Sequence, residues 1–189
     1  MTSNIEELAA AAKAGSRPAF DELVKLTHAE TFTLALRLTN NAEDAADVVQ
    51  EAYLRAFRSM DRFRGDAKFT TWLYRITANC ASTQLTKRGR HRHSELDDEM
   101  VLADPRHDLE ARVDNAAERE QIALALAELP EGLRAVVVLR DIYDLPHEAI
   151  ARELGITEVT AKVRLHRARK RLRDQLAPRR EGVGDAKAG

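Results

Sequence analysis

Cysteine occurs once in 189 residues, at position 80. No internal disulfide can form, and a reduced cytoplasmic setting is the simplest inference. Cys80 lies in an apolar-periodic stretch and reads as a small core residue rather than a redox sensor. Long apolar runs, a signal peptide and lipidation motifs are missing, so neither export nor membrane insertion is expected. Sustained strand alternation is also missing, as are a glycine-rich phosphate loop, a nucleophile elbow and a His/Cys ligand set. Bond-making chemistry is therefore not expected, nor is a metal or other cofactor. Net charge is only −1, so nucleic-acid binding would have to come from local asymmetry rather than bulk charge.

What the chain does have is helical periodicity. Ser3 and Glu6 form a capping-box pattern ahead of an Ala-rich helix that Gly15 stops. Ser16 and Pro18 open a second helix, whose Leu23, Leu26, Phe32, Leu34, Leu36 and Leu38 are dense enough to imply burial. Asn41 and Asp44 start a third, ending near Met60. Its core stripe is Val48, Val49, Ala52, Tyr53, Ala56 and Phe57, with Asp47, Gln50, Glu51 and Arg55 outside. A turn-rich loop, Phe63 to Lys68, precedes a fourth helix, Phe69 to Leu85, with Thr70 or Thr71 near its cap. That helix holds the only tryptophan, Trp72, beside Tyr74 and Arg75. It runs into residues 87–93, which carry four Lys or Arg and no acid. Aromatic faces beside a basic tract suit unstacked bases and their phosphates. The alternative is that Trp72 and Tyr74 are ordinary core residues. His91 and His93 have no further Cys or His to complete a metal site.

Composition changes at Ser94. Through Glu120 there are ten acids against three arginines, with Pro105 inside, so the first part of this stretch reads as an acidic interdomain linker. Periodicity returns by about Val113, with a helix through Ile122, Leu124, Leu126 and Leu129 that stops at Pro130. Another runs from Glu131 to about Tyr143. Leu145 to Leu176 then has the outline of a helix-turn-helix. Pro146 fits a first turn, and Ile150, Ala151 and Leu154 build a buried face. Gly155 allows a left-handed stop, and Thr157 caps the next helix, with Thr160 in its first turn. In the long second helix Ala161, Leu165, Ala168, Leu172 and Leu176 form the core side. Lys162, Val163, His166, Arg167 and Lys170 lie opposite. Seven Lys or Arg and no acid fall between Lys162 and Arg173. A single-signed run on this pattern points to the DNA major groove, against the bland alternative of a solvated charged face. The tail after Pro178 reads as disordered.

Four pieces, in order, bring a family into view. They are Ala45 to Phe57; Phe63-Arg64-Gly65-Asp66 with Thr71 to Ile76 and Asn79; Leu129-Pro130 with Leu139-Arg140 and Tyr143; and Thr160, Lys162, Arg164 to Arg169 and Leu172-Arg173. Over about residues 18 to 176 the chain resembles the extracytoplasmic-function group of bacterial RNA polymerase sigma factors. It departs from that pattern at Ala46, Thr83, Val159 and Val163, where the family commonly has an acid, Asp, Gly and Ser.

The resemblance implies an all-α protein of two small helical domains. Residues 1–93 would bind core polymerase and recognise and melt the −10 element. Residues 94–115 would be the acidic linker, 116–177 the −35-reading helix-turn-helix domain, and 178–189 the tail. Asp47, Gln50, Glu51 and Arg55 would dock on the clamp of the largest polymerase subunit. Lys68, Phe69, Trp72, Arg75 and Asn79 would take the −10 strand, with Lys87, Arg88 and Arg90 on its backbone. Lys162, Val163, His166 and Arg167 would read duplex −35 DNA, with Thr160, Arg164 and Lys170 placed for phosphates. Val163 is expected to touch a thymine methyl group. The acidic linker would suit a basic polymerase channel, an idea that neutralising Asp97, Asp98 and Glu99 without effect on initial transcription would count against. The resemblance also implies an anti-sigma partner. The rivals are a helix-turn-helix regulator acting alone, which has no use for Trp72 to Asn79, and a protein-binding bundle, which leaves two basic tracts unexplained.

Overall fold

Local capping chemistry sets most helix boundaries in the computed structural model, which describes residues 2–89 and 116–176. Every regular element among them is helical, so the fold is all-α. Helix α1 (Thr2–Lys13) ends at Gly15, whose φ of +99° favours glycine. Helix α2 (Arg17–Thr39) starts where Ser16 accepts the Ala19 N–H and stops at Asn40 in the left-handed region. Helix α3 (Ala42–Arg58) starts where Asn41 accepts the Asp44 N–H at 3.0 Å. A 3₁₀ turn, Met60–Arg62, and an irregular loop lead to α4 (Phe69–Gly89).

The start of α4 departs from expectation. Its first N–H, on Phe69, is taken by neither Thr70 nor Thr71. Both carboxylate oxygens of Glu6 accept it, at 3.0 and 3.3 Å. Ser3 lies inside α1, so Ser3 and Glu6 do not form the capping box that their spacing resembles.

Helices α1 to α4 enclose one core, with Leu23, Leu34, Leu38, Ala52, Phe69 and Leu73 shut from solvent. Not every apolar residue joins it. Leu34 and Leu38 share a face of α2, which turns Leu36 outward, and Leu26 is exposed too. On α3, Phe57 is 51% exposed and sets its ring edge against Phe20 at 5.1 Å.

In the C-terminal half, α5 (Ala116–Glu128) and α6 (Glu131–Val137) precede a π-helical turn, Val138–Ile142. A single helix from Glu131 to Tyr143 was the expectation. The Tyr143 N–H instead reaches Val138 O at 3.3 Å, and the Leu145 N–H reaches Leu139 O at 2.9 Å. Helices α7 (His147–Leu154) and α8 (Glu158–Leu176) follow, with Gly155 at φ +65° between them. Thr157 caps α8 by accepting the Thr160 N–H at 3.1 Å. Ala161, Leu165, Ala168 and Leu172 are buried as the stripe requires.

The two halves pack together, α7 against α4 and α6 against α2. Buried Arg134 donates from Nη1 to Ala127 O and Leu129 O, and from Nη2 to Leu38 O at 3.3 Å. Three carbonyls but no carboxylate surround that charge, and burial lowers its pKa from the ordinary arginine value. Tyr143 packs edge-on to Tyr74 at 4.8 Å and accepts from Arg37 at 3.5 Å. Arg90, His91, His93, the acidic linker at 94–115 and the tail at 178–189 lie outside the described residues.

Candidate nucleic-acid interface

The basic and aromatic residues of α4 face a cleft of about 610 Å³. Trp72, Arg75 and Asn79 line it at spacings of three and four, one helical face. Arg55, Arg58 and Arg62 line the opposite side, and Arg152 and Glu153 of α7 border it from the C-terminal half. Five arginines against one glutamate give it strongly positive walls. The Arg75 Nε is buried and has no hydrogen-bond partner among the described residues. Trp72 is half-buried, leaning on Phe63 at 5.2 Å and Phe69 at 5.8 Å. Lys68 is exposed at the end of the preceding loop.

One expected strand contact changes role. Phe69 is 0% exposed, packed edge-on to Phe63 at 5.9 Å, and offers no face to a base. Its ring supports Trp72 from below. Arg58 and Arg62 were missed, although Arg55, Arg58 and Arg62 fall at helical spacings of three and four. The break into a 3₁₀ turn after Arg58 hid that continuity. Lys87 and Arg88 lie in the last turn of α4.

On α3, Asp47 and Gln50 are exposed side by side. Leu54, 43% exposed, extends their face by one turn and is an apolar residue that charge patterning overlooked. Glu51 and Arg55 are only half-exposed. Arg55 Nε donates to Glu51 at 2.6 Å, and its Nη1 donates to Asn79 Oδ1 at 3.0 Å. The guanidinium therefore bridges two helices. Cys80 is buried beneath, and burial pushes its thiol up to about 11, against the reactive thiolate form.

Along α8, Lys162 and Lys170 are exposed, with Val163, His166 and Arg167 half-exposed between them. Lys162 pairs with Glu158 at 2.8 Å, an acid just outside the basic run. The Thr160 hydroxyl meets that of Thr157 at 2.8 Å. Arg164 turns away from this group. Its Nη1 lies 3.2 Å from where a side chain on Gly132 would begin, and it lines a groove between the halves beside Leu85 and Leu154. Arg169 forms a two-pronged pair with Asp141, at 2.9 and 2.6 Å. Beside α8, burial first and then the charges of Arg140 and Lys162 lower the pKa of His147.

Residues 23–91 match the family description Sigma-70 region 2, and residues 119–172 match Sigma-70, region 4. The chain is 37% identical to ECF RNA polymerase sigma factor SigM of Mycobacterium tuberculosis, over 94% of this chain and 87% of that protein. It is 32% identical to RNA polymerase sigma-H factor of Pseudomonas aeruginosa, over 92% and 94%. Against ECF RNA polymerase sigma factor SigE of Mycolicibacterium smegmatis, identity is 38%, and the chain spans 62% of that longer relative. Two solved structures share its shape at 26% identity. CnrH, in complex with the cytosolic domain of CnrY, has a TM-score of 0.58 over 92% of this chain and 97% of CnrH. The sigma factor RpoE of Bartonella quintana, in complex with the anti-sigma factor NepR, has a TM-score of 0.59 over 85% and 98%. The chain belongs to the extracytoplasmic-function group of RNA polymerase sigma factors.

Proposed function

We propose that this sigma factor divides promoter recognition between its two halves, residues 1–93 and 116–177, joined by the linker at 94–115. Asp47, Gln50 and Leu54 form a face for core RNA polymerase, with Glu51 and Arg55 at its edge. Trp72, Arg75 and Asn79 take −10 bases as they leave the stack, and Lys68 joins Arg58 and Arg62 on the strand's phosphates. Lys162, Val163, His166, Arg167 and Lys170 read duplex −35 DNA. Unstacking a base costs a few kcal/mol, and a duplex anchor elsewhere in the same protein offsets that cost.

The observation that carries this reading is the cleft, which sets Trp72 and Asn79 among five arginines in a chain that also presents a helix-turn-helix. Its role is to direct polymerase, in the cytoplasm, without catalysing a reaction of its own. Control by an anti-sigma factor is supported by CnrH and RpoE, both solved with regulatory partners. In vitro transcription with core polymerase is the test. Promoter-specific initiation that requires this chain, and that Arg75→Ala weakens, is the expected result. Duplex binding without any initiation would leave only a regulator acting alone.

A further inference from the structure

The geometry points to Glu6 as a positioning residue for −10 strand capture, a role that rests on the reading of the α4 cleft given above. Helix α4 begins without a good cap of its own. Lys68 precedes Phe69 and accepts the first α-helical bond, from the Trp72 N–H at 3.1 Å. Lysine has no side-chain acceptor for the orphan N–H groups of a first turn. The Glu6 carboxylate supplies one from another helix, holding the Phe69 N–H with both oxygens. A negative charge there also opposes the positive end of the helix dipole.

Three features make this a matter of position as well as stability. Glu6 stands on an anchored base, because Ala9 and Ala12 of α1 are buried in the core. The backbone point it fixes adjoins Lys68 and lies one turn before Trp72, so it sets where the loop ends and the cleft begins. The loop itself is tethered only near its ends, at Phe63 and Phe69, with exposed Arg64 and Asp66 paired at 3.6 Å and Gly65 at φ +79° between. The region 2 match begins at residue 23, so α1 stands outside the part of the chain that similarity explains.

The experiment uses holoenzyme made with the parent chain, Glu6→Ala or Glu6→Gln, on a promoter where the parent initiates. Affinity is measured for the single-stranded −10 segment of that promoter, for a scrambled strand and for its −35 duplex. Glu6→Ala is expected to weaken −10 strand capture on the order of fivefold and to narrow discrimination against the scrambled strand. The −35 duplex affinity stays unchanged. Glu6→Gln keeps one acceptor oxygen and loses the charge, so it falls between, roughly twofold below the parent. Parent-like strand affinity in whichever variant is folded, judged by thermal midpoint, overturns the proposal. Equal losses on strand and duplex also overturn it, since they mark general unfolding. Arg75→Ala separates the two readings. If it leaves strand capture intact, the cleft reading fails and this one with it; if it weakens capture while Glu6→Ala does not, only the positioning role fails.

Discussion

Arg55 of α3 and Asn79 of α4 are joined across 3.0 Å, while the same guanidinium holds Glu51 at 2.6 Å. The helix proposed to meet polymerase and the helix proposed to meet the strand thus share one cation. A double-mutant cycle of Arg55→Ala and Asn79→Ala, read as −10 strand affinity of the holoenzyme, should show coupling of about 0.5 kcal/mol, modest because Arg55 and Glu51 are partly exposed. Strict additivity would mean that the bond orients neither partner.

The Arg169–Asp141 pair makes a stability prediction. Side-chain exposure is 17% for Arg169 and 2% for Asp141, so Arg169→Ala strands a buried carboxylate. The expected loss is about 3 kcal/mol, seen as a lower urea midpoint. Replacing both residues by Leu should recover most of it. A parent-like midpoint for Arg169→Ala would return this arginine to the DNA-binding run.

Val163 stands half-exposed between Lys162 and His166, an apolar side chain within a basic face. Val163→Ser should cost about 1 kcal/mol on the preferred −35 duplex, the low end for one base pair, and little on a duplex with the contacted thymine replaced. Unchanged base preference across a substituted −35 series would remove Val163 from the reading residues.

His147 gives a pH dependence with a definite sign. Its folded pKa lies below the ordinary 6.5, from burial first and neighbouring cations second. The folded state therefore binds fewer protons than the unfolded chain. Stability from this group is present above about 6.5 and falls as pH drops through that value toward the folded pKa. Chemical denaturation at pH 7.5 and at about pH 5.5 should show a smaller difference for His147→Gln than for the parent. Identical differences would clear His147 of any part in acid sensitivity.

Features carried by short-range chemistry were legible in the sequence. Ser16, Asn41, Gly155 and Thr157 each act on a backbone group within a few residues, so spacing sufficed to place them. The buried stripe of α8 was legible for the same reason. Glu6 and Asp141 were not, because their partners lie 63 and 28 residues away and nothing local marks them. Charge counting also overreached: the seven cations of the basic run read alike in sequence. Folding commits Arg169 to Asp141 and lodges Arg164 beside Gly132, so neither stands with the DNA-facing group. Phe69 misled in a related way, since an aromatic next to a basic loop fits both a stacking platform and a buried prop.

The π-helical turn at Val138–Ile142 has a consequence for what this stretch of chain tolerates. Drawn as an ordinary α-helix, the same residues would rotate everything beyond them by roughly one extra residue, about 100°. Asp141 would then leave Arg169 and Tyr143 would leave Tyr74, although every side chain were still present. The quantity specified here is a residue count. A substitution within Val138–Ile142 changes one contact, whereas a single deletion resets the angular phase of all that follows and uncouples both halves of the protein at one stroke.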